Sequence, residues 1–394
     1  MREESKEVLV GFVGDVLIDR ENPREVFAAV REVLRVPDVL FANLESPYSD
    51  SPGIAITQPI ALTPRTHNLD AYSEAGFNVM SMANNHIVDA GHVAMLETRS
   101  RLRSQGIVTC GAGENLADAR SPAILDKQGL KVGFLAYASV FPHGYQARGN
   151  VPGLAPLRAY NHFHELPEYC APGYLPRIET IPDVEDHRNL ESDIKALRGS
   201  VDLVVVSFHW GDHLRPFLLT DHEKRTARLC VDLGADVVIG HHHHVLRGAE
   251  WYRGKPIFYG LGHFVFDLHL VLNERLKSQL KQFDPTNFER FDPESYAVGP
   301  REGWPLLPLH RDSRMTMFAW VRVRGGAVRD VGFIPCRLLP DGRVVTVGTN
   351  SEEGREVISY VNRCITSEKL NARLVTEDSP VFAGCTSVRL LPVS

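Results

Sequence analysis

The chain has 394 residues, 43% hydrophobic and 23% charged, the composition of a soluble globular protein. Lys and Arg number 43 against 49 Asp and Glu, a net charge of −6 with no basic block, which argues against a nucleic-acid partner or an anionic membrane surface. The apolar run 8–13 is too short for a signal-peptide core, no segment reads as a bilayer span, and the scattered cysteines 110, 170, 230, 336, 364 and 385 read as reduced thiols, so a cytoplasmic location is expected.

Strand-like and helix-like segments alternate along the first half. Residues 7–13 read as a strand and 23–35 as a helix with Pro23 at its start. Strands follow at 39–42 and 77–82, a helix at 92–105 and a strand at 131–138. Next come a helix at 188–198, a strand at 202–208, a helix at 221–233, and strands at 236–239 and 256–259. This is α/β order. Then the pattern changes to antiparallel strands at 315–323, 327–335 and 343–347, with Arg324-Gly325-Gly326 as a tight turn. A helix at 352–365 and a strand at 387–391 end the chain. Residues 141–186 and 268–313 fit no element well, although the second opens on a helix-like stretch. They read as insertions in one catalytic domain spanning 1–394, with the antiparallel strands and helix at 314–394 as its C-terminal part.

Metal-type side chains follow the apolar runs. Asp15 comes after 8–13, where Gly14 is expected to let the backbone turn, and Glu45 after 39–42. Asn85 and His86 follow 77–82, with Asp89 placed to orient an imidazole. His209 follows 203–208. The run Gly240-His241-His242-His243-His244 ends another strand, and imidazole is a good ligand for divalent transition metals. On an extended chain His242 and His244 share one face and His241 and His243 the other, so the register stays open. His263 follows two glycines and is expected near the same cavity, while His310 and the insertion residues His143, His162 and His164 are weaker candidates. One Asp, one Glu, one Asn and at least three His suit two metals sharing a carboxylate.

As an ordered set, Gly14-Asp15, Asn43-Leu44-Glu45, Ala83 through Gly91, His209-Trp210-Gly211, Gly240 through Leu246 and Leu261-Gly262-His263-Phe264 resemble the CapA-like proteins. That group is named for poly-γ-glutamate capsule synthesis and is related to the calcineurin-like metallophosphoesterases. The resemblance implies a four-layer α/β/β/α sandwich with a two-metal centre. By it Asp15 is a ligand of the first metal, Glu45 the bridge, Asn85 and His209 ligands of the second, His242 and His244 further ligands, and His86 the catalytic histidine. Leu17 stands where ordinary metallophosphoesterases carry a histidine, Glu45 where they carry Asp, and His263 where CapA-like chains carry Asn.

A soluble branch of the group tailors ribosomal peptides, the lasso-peptide epimerase among them. The expected function is therefore a metal-dependent peptide epimerase. His86 with His263, or a pair including Asp15 or Asp19, would move the α-proton, and two divalent ions (Mn, Fe, Zn or Co) would stabilise the developing charge. The alternative is a two-metal hydrolase of phosphoesters or amides. The expected partner is a peptide or small-molecule substrate, with no nucleic acid and no membrane.

Overall fold

The computed structural model describes residues 6–53, 60–164, 177–269, 278 and 294–393. Cys170 and the helix-like opening of 268–313 lie outside them. Two sheets carry the architecture. In the first, the parallel strands Glu7–Leu17, Val39–Leu44, Val79–Ser81 and Val108–Cys110 lie side by side. It continues antiparallel on the other flank through Met315–Arg324, Ala327–Leu338, Thr386–Leu391 and Arg373–Asp378. The second sheet runs Ala249–Tyr252, Lys255–Phe258, Val237–His241, Leu203–His209, Leu130–Ala138 and Ala123–Lys127.

Burial explains the element types. Every residue of Val39–Leu44 and Leu203–His209 is buried, as expected of parallel strands covered on both faces. Phe41 of the first sheet stacks on Phe134 of the second with centroids 5.4 Å apart, so the sheets pack face to face. Helix Gly91–Ser104 follows the first sheet's strands, and Val184–Arg198 and Asp221–Leu233 cover the second. The result is the four-layer α/β/β/α sandwich. Helix Asp221–Leu233 starts at a capping box of Thr220 and Glu223 and stops at Gly234 in the left-handed region, φ 115°.

Several expectations need correction. Residues 23–35 are not one helix but a 3-10 turn, Pro23–Phe27, and one helical turn, Arg31–Leu34. Residues 141–186 are not structureless: they hold a hairpin, Ala159–His164 with Arg177–Pro182, and the start of helix Val184–Arg198. His162 and His164 lie on that hairpin, away from both sheets. The first strand does not stop at Val13; it runs to Leu17, so Asp15 sits within it. Ladder irregularities fall on both sides at Asp15, against His263 and against Asn43. Such bulges re-aim a side chain.

Gly14 serves close approach rather than a turn. A β-carbon there would lie 2.0 Å from the Gly262 carbonyl oxygen. The two backbones touch because Asp15 N–H donates to that same oxygen at 3.1 Å. Gly14→Ala is expected to lower stability by about 3 kcal/mol or more, since backbone must yield rather than a flexible side chain. A thermal melt unchanged from wild type would refute this.

Candidate metal centre

The C-terminal ends of the parallel strands of both sheets meet. The first sheet contributes Asp15, Asn43 and Glu45, and the second His209 and the turn after His241. One ligand atom each of Asp15, Glu45 and His209 lies within 4.8 Å of the others, and all three residues are buried. His209 Nε2 is 2.6 Å from Asn85 Oδ1, 3.1 Å from His242 Nδ1 and 3.8 Å from Glu45 Oε1. Asp15 faces the histidine turn, with His244 Nδ1 3.7 Å from its Oδ2 and the His242 N–H donating to Oδ2 at 3.3 Å.

The histidine register departs from strand alternation. The strand ends at His241, and the next three residues form a turn in which His242 and His244 have φ of 94° and 56°. Such angles are strained for non-glycine residues, and strain of this kind clusters at functional sites. His242 and His244 point into the cluster. His241 does so as well, with Nδ1 3.2 Å from Asp15 Oδ1 but off the hydrogen-bond direction. His243 points away and its Nε2 meets Glu223 Oε1 at 2.8 Å.

His86 Nδ1 donates to Asp89 Oδ2 at 2.6 Å, which fixes the ring and leaves Nε2 as the working nitrogen. Asp89 is fixed in turn by the Leu62 N–H and the Tyr145 hydroxyl, at 2.8 and 2.9 Å. His263 is fully buried in ladder register with Asp15, its ring 5.7 Å from that of His244. Asp19 stands apart. It is half-buried, and its electrostatic neighbours are His269, Asp267, His67 and Arg65 rather than the histidine cluster. His310 is buried outside the cluster, stacked on Tyr296. Leu17, in the place of a metallophosphoesterase histidine, packs in an apolar cluster with Leu62, Phe266, Leu268, Leu307 and Leu309.

Asn43 stands in the Asn43-Leu44-Glu45 motif, but the sequence assigns it no role of its own. Its Nδ2 donates to Asp15 Oδ1 at 2.9 Å and to Glu45 Oε2 at 2.7 Å, so one amide spaces the two carboxylates. Asn84 Nδ2 holds Asn43 Oδ1 at 3.2 Å and the Leu44 carbonyl at 2.6 Å. The available signal was parity: Asn43 and Glu45 share a strand face, and Asn43 pairs with Asp15 across the ladder. Asn43→Ala is expected to weaken divalent-cation binding about 10- to 100-fold, the range for outer residues that orient ligands. Calorimetric titration with Mn²⁺ measures it, and an unchanged affinity would count against this role.

The electrostatics fit a cation. Burial opposes ionisation of Asp15, yet the imidazoles of His241, His209 and His244 hold its carboxyl well below the usual range. Burial, with the Asp15 charge second, pushes Glu45 well above its range. Burial holds His209 down to about 3 and His263 to about 4, and keeps His242 and His244 well below 6.5. Glu45 Oε1, His209 Nδ1, His244 Nδ1 and both His241 nitrogens are buried without hydrogen bonds. Orphaned buried acceptors are costly, and a divalent ion among them would satisfy several at once.

The PGA biosynthesis protein CapA of Bacillus subtilis is 30% identical over 266 residues, 65% of this chain and 62% of that protein. The capsule biosynthesis protein CapA of Bacillus anthracis is 28% identical over 277 residues, 67% of this chain and 61% of that protein. The matches thus span about three-fifths of each relative's length. Among solved structures, the calcineurin-like phosphoesterase YfkN of Bacillus subtilis aligns over 92% of this chain and 99% of its own, with a TM-score of 0.39 and 12% identity. The family described as bacterial capsule synthesis protein PGA_cap matches residues 9–268, every residue of the cluster included, and the chain belongs to that family.

Proposed function

We propose that this chain is a two-metal hydrolase that cleaves an amide bond in a peptide-type substrate. One observation carries the reading: Asp15, Glu45 and His209 converge within 4.8 Å beside His86, an imidazole oriented by a carboxylate. The epimerase ranks first on sequence alone. Relatives named for PGA and capsule biosynthesis favour the hydrolase.

Asp15, Glu45 and His244 would hold one cation, and Glu45, Asn85, His209 and His242 the other. Imidazole with carboxylate suits Mn, Fe, Zn or Co. When bound, such a pair polarises the scissile carbonyl and lowers the pKa of water. Asn43 keeps the carboxylates of Asp15 and Glu45 apart at a fixed spacing. The turn after the strand, strained at His242 and His244, aims those two imidazoles inward. Asp89 holds Nδ1–H of His86, so Nε2 is the atom that hands a proton to the leaving nitrogen. An amine leaves poorly without that proton, so an amide substrate gives His86 its work.

His86→Gln is expected to lower amide turnover about 10²- to 10⁴-fold with cation stoichiometry unchanged. Release of glutamate from glutamyl peptides by the Mn²⁺-loaded chain measures it. No turnover of any glutamyl peptide with any of the four metals would sink the amide reading.

The epimerase stays as a second reading on one observation. His263 lies beside His244, at the Asp15 end of the cluster, whereas His86 adjoins Asn85 at the His209 end. Inversion at carbon needs two proton-handling groups. Deuterium gained from solvent at an α-carbon, without cleavage, is the result that would favour it.

A further inference from the structure

The cluster leaves one buried charge without a task. Arg247 lies three residues beyond His244 and is 1% exposed. Its Nη2 donates to the main-chain carbonyl of Asp212 at 2.5 Å. Nε and Nη1 are enclosed and have no hydrogen-bond partner among the described residues. The Asp212 carboxylate itself is engaged by Arg215 at 2.5 Å. Arg99, the other buried arginine among the described residues, shows the contrast: both its Nη atoms sit 2.6 Å from the Asp118 carboxylate.

A guanidinium cannot shed its proton in a protein, and burying its N–H groups without acceptors is costly. Such a group persists where something outside the chain compensates it. The position is specific. Asp212 lies on the loop after His209, and the Arg247 N–H is anchored to the Gly260 carbonyl at 2.9 Å. The charge is felt by His213, whose ring lies 5.2 Å from that of His242. On the other side it is felt by Tyr296 of the second insertion and Tyr360 of helix Glu352–Ser367. Arg247 therefore lies within electrostatic reach of His213, beside the histidine cluster, and of Tyr296 and Tyr360.

We propose that Arg247 receives a carboxylate of the substrate beside the metal centre. The inference rests on the reading of the cluster as a metal centre acting on a peptide-type chain, and it names the group that orients that chain. A carboxylate fits better than a phosphate. One planar guanidinium matches one singly charged planar acid. The remaining neighbours are phenols and the Asp312 carboxylate, and Asp312 would repel a dianion.

The test uses the full chain loaded with Mn²⁺ and two probes of equal shape: N-acetyl-triglutamate, and N-acetyl-triglutamine with a C-terminal amide. Wild type is expected to bind the acid about 30-fold or more tightly than the amide, as befits a buried charged hydrogen bond. Arg247→Met is expected to cut that preference to about threefold or less, and Arg247→Lys to keep part of it, with cation stoichiometry equal in all three. A preference that survives Arg247→Met at unchanged stoichiometry overturns the proposal. Inorganic phosphate is titrated in parallel, and Arg247-dependent phosphate binding without acid preference also overturns it. Thermal melts of the metal-free chain give a readout independent of the metal. Arg247→Met is expected to melt no lower than wild type, and the triglutamate to raise the melting temperature of wild type alone. A clear fall in the melting temperature of Arg247→Met, with no response of wild type to triglutamate, makes Arg247 a structural residue. Failure of wild type to bind Mn²⁺ would refute the metal-centre reading instead, and the metal-free melts would still decide the role of Arg247.

Discussion

Asp15→Asn is expected to abolish cation binding at one half of the centre, and turnover with it, while the chain stays folded. Asp15 is the residue on which the two sheets meet. It accepts from Asn43 of the first sheet at 2.9 Å and from the His242 N–H of the second at 3.3 Å, with His241 and His244 within 4 Å. Asparagine keeps the volume, and its Oδ1 can keep the Asn43 bond. It removes the negative charge that the imidazoles hold in place. The loss should exceed the ~10²-fold that outer orienting residues contribute, because a ligand is removed rather than misaligned. Glu45→Gln is the companion variant. Burial already drives Glu45 toward its protonated form, so the glutamine is close to the metal-free state and should leave the metal-free melt near wild type or above it. Metal analysis after gel filtration and a far-UV circular dichroism melt decide the matter. Full cation stoichiometry in Asp15→Asn would remove Asp15 from the site.

How far the sequence could carry this reading depends on whether the signal was local. Helix Asp221–Leu233 was legible to the residue because Thr220, Glu223 and Gly234 fix its ends through contacts within one turn. The stretch 23–35 misled because Val26, Phe27, Val30 and Leu34 recur at helical spacing, yet neither Asn22 nor Val30 caps a helix with its side chain. There Phe27 packs on Tyr72, Phe77 and Phe264 from three other segments, and that packing decides the path. The site residues were legible because carboxylates and imidazoles after buried strands are hard to explain as packing. The order within His241–His244 was not, since alternation presumes an extended chain and the backbone turns at His242. Arg247 was invisible, and Asn43 legible only as part of its motif, for a different reason: an amide and a guanidinium are ordinary surface groups until burial is known.

The metal-free chain is expected to lose stability steeply as pH falls from about 6.5 toward 4. Burial keeps His209 down to about 3, with the Asp15 charge opposing; it keeps His263, and His222 on helix Asp221–Leu233 beside Ser139, to about 4 and places His242 and His244 well below 6.5. The unfolded chain takes up these protons near pH 6.5, whereas the folded chain refuses them until lower pH. Through that window the unfolded state binds more protons, so stability is fully present above about 6.5 and is lost on acidification. Glu45 runs the opposite way. Its folded value is raised, so its contribution is present below 4.5 and lost as pH rises. Asp15 acts in the same sense as the histidines, but only below 3.8. The gap from 6.5 to about 4 is worth about 3 kcal/mol each at His263 and His222, and the wider gap at His209 more. Several together rival the ~5–15 kcal/mol that holds a typical domain folded, and one glutamate cannot offset them. Bound cations should shift the loss downward, because a ligated imidazole takes a proton only when the metal leaves. Circular dichroism against pH, with chelator and with Mn²⁺, measures both effects. A metal-free chain still fully folded at pH 4, or a midpoint that Mn²⁺ leaves in place, would mean that these histidines are not held neutral by the fold or do not bind the cation.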